Sequence, residues 1–450
     1  MKVQQQVAGW LLFCSGIVAA SGQAPPLTLR QAIDRALGQN PSAAVAHADI
    51  EEATAAARLA RTQLLPRLNF TEDISRGNDP VYVFGQKLRQ RQFTQADFAL
   101  NALNRPLPLG NLSTRFSGSW MAFDSLKTQK DIHRADLFRQ SAGEASKAAD
   151  QQTVLRVVSA YQSVLYAQRA LEVAQHSQQT AETLLNDVTQ HVTAGLAVDS
   201  DRMAAQVNAA ARKQEFIAAQ GDLELAWAEL GAAMGEPDLK SSALQPIDAK
   251  PFPEASLDEE LAVATKTRAD LAALGLARDA QSEAASAARS SFGPQVSAYG
   301  NWQEDRGSFS GPGGNSWVAG VQINLDILPL GKREQLARDN AARIRADAQL
   351  AQAKLDVRLQ VSRAHIQRAT AQQSLETARS ARDQAAESLR IVRNRYNAGL
   401  ATITDLLRAE DAERQAQSNY WKAVYGNAMA YAQMLYAEGT LSPDAAEVLQ

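Results

Sequence analysis

Arg395-Tyr396-Asn397-Ala398-Gly399-Leu400-Ala401-Thr402-Ile403-Thr404-Asp405-Leu406-Leu407 decides the fold, because a looser copy of it stands earlier in the chain, at Val192-Thr193-Ala194-Gly195-Leu196-Ala197-Val198-Asp199-Ser200-Asp201. Gly399 and Gly195 stand 204 residues apart. Glycine at a helix end permits the left-handed conformation that stops one helix. Thr402 and Thr404, or Asp199 and Ser200 in the first copy, are then available to cap the next. Each stretch therefore reads as the turn of a helical hairpin.

The duplication extends outward from the turns. Val157 and Val361, Gln168 and Gln372, Leu171 and Leu375, Leu185 and Leu389, and Asp201 and Asp405 keep the same spacing of 204. Nearer the N-terminus the spacing is 228, as for Leu29 and Leu257 or Pro66 and Pro294. The first copy thus carries about 24 extra residues, which fall in Pro80–Asn111. Val157, Tyr161, Val164, Leu171, Ala174, Ala181, Leu185, Val188 and Val192 step by threes and fours, the mark of a coiled-coil seam. In the second copy His365 and Arg368 intrude on that seam. Each copy reads α-β-β-α-α, so the fold class is mainly α with a small membrane β part.

The first repeat is placed at residues 23–240, with a helical stretch over about 28–64, strands at about 67–75 and 113–123, and a long hairpin at about 127–233. The second is placed at 241–436, with a helical stretch over about 256–291, strands at about 295–303 and 316–326, and a hairpin at about 332–436, before a C-terminal tail at 437–450. Long helices of this size extend roughly 100 Å.

The strands alternate in a way that suits a bilayer. Trp317, Ala319, Val321, Ile323 and Leu325 oppose Val318, Gly320, Gln322, Asn324 and Asp326. Leu68, Phe70 and Ile74 form one face of the first strand, broken by Glu72; Phe116, Trp120 and Ala122, and Val296, Ala298 and Trp302, do the same in the next two. Such alternation with aromatics at the interfaces marks membrane barrels. Four strands cannot close a barrel, and an open sheet edge is forbidden in lipid. Oligomerisation is therefore required. Two copies would nearly fill the interior with side chains, whereas three leave a lumen.

Residues 1–22 read as a secretory signal, with Lys2, an apolar run over Val7–Ala20, and small residues Ala20-Ser21-Gly22 at the cleavage point. The sole cysteine, Cys14, lies inside that run, so the mature chain is expected to carry no thiol chemistry. A net charge of −3, from 46 Lys+Arg against 49 Asp+Glu, gives no support to nucleic-acid binding. His47, His133, His176, His191 and His365 are scattered without ligand spacing, and Gly311-Pro312-Gly313-Gly314 opens no helix. No enzyme or cofactor is expected.

With the duplicated turn in view, nearly all of the mature chain resembles the TolC family of outer membrane factors. The Arg395–Leu407 segment is the most specific part, and Leu27-Thr28-Leu29 through Asn40-Pro41 looks like the family's usual start. The resemblance implies a homotrimer: a twelve-strand β-barrel in outer-membrane lipid continuing into a twelve-helix α-barrel tunnel in the periplasm. It implies docking to an inner-membrane pump through a periplasmic adaptor (membrane fusion) protein, in efflux or type I secretion. Gly195, Leu196, Gly399 and Leu400 would form the adaptor-docking tip. Asp405, Arg408, Asp201 and Tyr396 would form the periplasmic gate. Asp405 matches a family position in an acidic ring, while Arg408 stands where some members have a second acid, so that pairing with Arg408 would neutralise the ring and work against cation blockade and pH gating. The competing reading is a non-pore periplasmic adaptor or coiled-coil tether. The Pro80–Asn111 insertion, with Tyr82, Phe84, Lys87, Arg89, Arg91 and Phe93, falls in an extracellular loop that is solvated, packed in the lumen or in contact with lipopolysaccharide.

Overall fold

The structure, a computed structural model, describes residues 26–239, 243–247, 251–253, 255–444 and 448–449. The signal expected at residues 1–22, Cys14 included, lies outside them.

Each repeat opens with a broken pair of helices rather than one. α1 (Leu29–Gln39) and α2 (Pro41–Thr62) meet at Asn40, where Pro41 takes the first helical position and Asn40 caps it by accepting from the Ser42 amide at 2.9 Å. The second repeat opens with α7 (Leu257–Thr267) and α8 (Ala269–Ser290), which meet at Arg268. Strands β1 (Arg67–Gly77), β2 (Leu109–Phe123), β3 (Gln295–Arg306) and β4 (Gly313–Asn324) form one antiparallel sheet in the order β1-β2-β3-β4. Between β1 and β2 the insertion is not a plain loop. It contains α3 (Pro80–Arg89), a 3-10 turn (Gln95–Phe98) and α4 (Leu100–Asn104). The long hairpins are α5 (Lys127–Thr193) with α6 (Asp199–Met234), and α9 (Leu330–Asn397) with α10 (Ile403–Glu438).

Register sorts the strand side chains onto two faces. Phe70 pairs with Phe116, Phe116 with Trp302, and Trp302 with Trp317, so an aromatic row crosses all four strands on one face. The Phe70 and Phe116 rings lie 5.1 Å apart and those of Phe116 and Trp302 5.9 Å. The opposite face carries Asn69, Ser117, Asn301 and Val318 in the adjacent row. The aromatic face is left uncovered: Leu68, Trp317 and Ile323 are each about 70–80% exposed. Among the described residues, the outer edges of β1 and β4 have no strand neighbour.

Below the sheet α2, α5, α8 and α9 lie side by side in that order. Arg61 binds Asp136 at 2.9 Å, Ser141 donates to the Ala273 carbonyl at 2.8 Å, and Lys332 donates to the Ser291 carbonyl at 2.6 Å. Further down the order becomes α6, α5, α10, α9. At mid-length the main core forms around Val154, Val157, Tyr161 and Val164 of α5, packed on Leu29 and Ile33 of α1 and on Leu230 and Met234 of α6. The Tyr161 hydroxyl donates to the Leu27 carbonyl at 2.8 Å, tying the start of the first repeat to this core.

The two repeats close the same joint with different residues. α6 ends at Gly235 (φ 78°) and α10 at Gly439 (φ 75°). A Cβ on Gly235 would lie 2.9 Å from the Asn40 Cα, and one on Gly439 would lie 2.9 Å from the Arg268 Cα. Glycine is needed there for both the left-handed backbone and the close approach. Asn40 donates to the Ala233 carbonyl at 2.8 Å, and Arg268 to the Ala437 carbonyl at 3.2 Å. Each helix break therefore caps the C-terminus of its own return helix.

The polar intrusions in α9 also have partners. Glu260 of α7 is 1% exposed and meets His365 Nδ1 at 2.8 Å and Arg368 at 3.0 Å. Arg368 additionally donates to the carbonyls of Pro253 and Ala255. A buried carboxylate without such partners would be strongly disfavoured.

Candidate functional site: the hairpin tips

Both turns end their helices in the same geometry. Gly195 (φ 73°) donates to the Val192 carbonyl at 3.0 Å, and the Leu196 amide to the His191 carbonyl at 2.8 Å. Gly399 (φ 71°) donates to Tyr396 at 2.9 Å, and the Leu400 amide to Arg395 at 2.8 Å. These are paired Schellman bonds, in which a left-handed residue satisfies the last helical carbonyls. The chain then projects Leu196 and Leu400, 78% and 69% exposed, from the two tips.

Just inside the tips the two hairpins share a core. Leu184 and Val188 of α5, Ala205 of α6 and Ile403 and Leu406 of α10 are buried together, with Val192, Leu389, Val392, Tyr396 and Leu407 packed around them. Tyr396 lies at this core, and burial raises its pKa, with further contributions from the negative charges of Asp201 and Asp187. The structure thus brings Tyr396 and Asp201 into one electrostatic neighbourhood across the two hairpins.

Asp405 sits differently. It is the third residue of α10 and closes a capping box. Its carboxylate accepts from the Thr402 hydroxyl at 2.7 Å and the Thr402 amide at 3.1 Å, while the Asp405 amide donates to the Thr402 hydroxyl at 3.2 Å. These bonds hold the Asp405 carboxyl below its ordinary pKa, and the Arg408 and Arg395 charges lower it further. In the first copy the cap position is Val198, which has no side-chain hydrogen bond, so Asp201 has no such cap to close. Sequence reading named Thr402 as a cap but missed its reciprocal bond with Asp405; the Thr-x-x-Asp spacing was the available signal.

One step above the tips is a group that the sequence reading did not single out. Arg212 of α6 meets Glu215 at 2.8 Å and Asp411 of α10 at 3.1 Å; Arg393 of α9 meets Glu410 of α10 at 3.2 Å. Arg212, Arg393, Glu410 and Asp411 line a cavity of about 250 Å³ between the hairpins, together with His176, Arg414 and Trp421. Burial raises the Glu410 pKa, and the Arg393 bond opposes that rise. Arg169 lies 4.8 Å from the Trp421 ring centre, at the upper margin of this charged layer.

A four-stranded sheet with one bare apolar face, carried on two long hairpins with glycine tips, defines the class: a duplicated, rod-mounted membrane sheet. The chain belongs to the outer membrane efflux protein family, whose model matches residues 32–236 and 261–440. Among solved structures, the Campylobacter jejuni CmeC outer membrane channel is similar at 15% identity, covering 99% of this chain and 96% of that one, with a TM-score of 0.80. The Vibrio cholerae outer membrane protein VceC is similar at 19% identity over 91% and 96%, with a TM-score of 0.75. The open-state Neisseria gonorrhoeae MtrE outer membrane channel is similar at 20% identity over 92% and 91%, with a TM-score of 0.74. At these identities the likeness is one of fold. Comparison with curated protein sequences finds no match.

Proposed function

We propose that three copies of this chain form an outer-membrane duct that exports cargo delivered by an inner-membrane pump through a periplasmic adaptor. The observation that carries this reading is the sheet: its apolar face is bare and both its edges are unpaired. The bare apolar face suits lipid rather than water, and the unpaired edges are tolerable in neither until β1 of one copy pairs with β4 of the next. Three copies bring twelve strands, enough for a lumen.

The helices support the same closure. The flanking helices of the row carry exposed apolar side chains: Leu59 on α2, Val207 and Leu225 on α6, and Ile344, Leu355 and Ile366 on α9. The row of four helices then becomes a tunnel wall of twelve. Its far end would present Leu196 and Leu400 with Gly195 and Gly399 to the adaptor. Asp201 and Tyr396, with Asp405 and Arg408, would line the gate. A non-pore tether has no use for a sheet with a bilayer-facing aromatic row.

Extraction from membranes in mild detergent, followed by mass measurement and planar-bilayer recording, tests the reading. A heat-dissociable trimer that conducts is expected. A soluble monomer without conductance would overturn it.

A further inference from the structure

α3 does not hang free at the end of the sheet remote from the long helices. It crosses the polar face from β1 to β4. At its start the Tyr82 and Ser75 (β1) hydroxyls are 3.0 Å apart. At its end Gln90, 1% exposed, donates to the Gly110 carbonyl and to Asn111 Oδ1 on β2, each at 2.9 Å. Asn111 donates in turn to Asp305 of β3 at 2.9 Å, and Gln303 donates to the same carboxylate at 2.9 Å. Asp305 is 1% exposed. On β4, Gly314 leaves room for the Arg89 carbonyl oxygen, which a Cβ there would overlap. Arg91, left-handed at φ 55°, donates to the Asn315 carbonyl at 3.0 Å. A non-glycine residue disfavours that region, so the turn after α3 is held against a backbone preference.

Register fixes which side this is. Ser75 pairs with Asn111, Ser113 with Asp305, and Asp305 with Gly314. All five lie on the face that carries Asn69, Ser117 and Asn301, opposite the aromatic row. The helix sets Val83 and Gln90 against the sheet and turns Val81 and Leu88, 81% and 50% exposed, away from it.

We infer that α3 is an inward strap at the outer mouth of the duct, pinned by the Gln90–Asn111–Asp305 chain and the Gly314 notch, so that three straps set the bore through which cargo leaves. The inference rests on the proposed trimeric duct. An apolar constriction of this kind restricts passage by size and by dewetting, and Val81 and Leu88 would supply the apolar surface.

The test places a reporter cysteine on the lumenal face at Asn301→Cys in the full chain, whose only native cysteine is Cys14. Whole cells are treated with a small membrane-impermeant maleimide or with a long polyethylene-glycol maleimide. Two strap variants are compared: Gly314→Val, which suits a strand but fills the notch, and replacement of residues 78–108 by an Asn-Gly turn, which the Gly77–Leu109 pairing permits. The small reagent should label all backgrounds, and the long one should label both variants at least about tenfold faster than the strap-bearing parent. Equal labelling by the long reagent in parent and variants would overturn the strap. Absence of labelling by the small reagent in every background would overturn the duct on which it rests.

Discussion

Thr402 and Asp405 close a reciprocal cap on α10, whereas their counterparts Val198 and Asp201 do not. The two repeats thus keep the same acid and give it different surroundings. One carboxylate is committed to its own backbone, and the other remains near Tyr396 of the opposite hairpin.

Removing the hydroxyl with Thr402→Ala should increase amide exchange in the first turn of α10 by about fivefold, the effect of a typical N-cap. The reverse change, Val198→Thr, should slow exchange in the first turn of α6 by a similar factor. Site-resolved hydrogen exchange on the detergent-solubilised protein checks both, and unchanged rates would show that the cap carries no stability.

The same cap predicts a pH dependence. The Asp405 pKa is lowered from 3.8 in the folded chain, chiefly by the Thr402 hydroxyl and amide. A depressed carboxyl stabilises the fold above its unfolded value, and the contribution is lost as pH falls through the folded value. Protection at Ile403–Leu406 should therefore hold down to about pH 4 and fall below it. Loss near neutral pH would contradict the assignment.

Gly399→Ala isolates the backbone requirement at the tip. Its φ is 71°, and nothing lies within 4 Å of an added Cβ. The expected cost is about 1 kcal/mol, all of it conformational, read as faster limited proteolysis at residues 397–402. Leu400→Asp leaves that backbone alone. In the proposed assembly it should spare the trimer while abolishing cross-linking to the adaptor and reducing export.

Outward and lumenal positions of the sheet should respond differently to charge. In the proposed barrel, Trp317→Arg places a cation on the row that faces lipid and should cost about 2–4 kcal/mol near the midplane, less near an interface. Ser117→Arg on the polar face should be nearly neutral. The melting temperature of the trimer, followed by gel mobility, separates the two.

Much of this was readable from periodicity. Val157, Tyr161 and Val164 recur at helical spacing and are fully buried, and Trp317 to Ile323 alternate and emerge on one face. The breaks at Asn40 and Arg268 were not readable as a pair, because an amide and a guanidinium do the same capping work without resembling each other. His365 and Arg368 looked like flaws in a seam, since their partner Glu260 is more than a hundred positions away. The path of α3 also depends on long-range bonds, to Gly110, Asn111 and Asn315, that no local pattern announces.

The joints at Gly235–Asn40 and Gly439–Arg268 have a mechanical consequence. They clamp the hairpins near mid-length, so the lower part of each rod is a cantilever fixed at one end. The bending stiffness of a cantilever falls with the cube of its free length, so a slight push at the tip displaces it far more than the same push near the clamp. Strain applied at the tips would dissipate before it reached the sheet, leaving the membrane seal undisturbed while the far end moves.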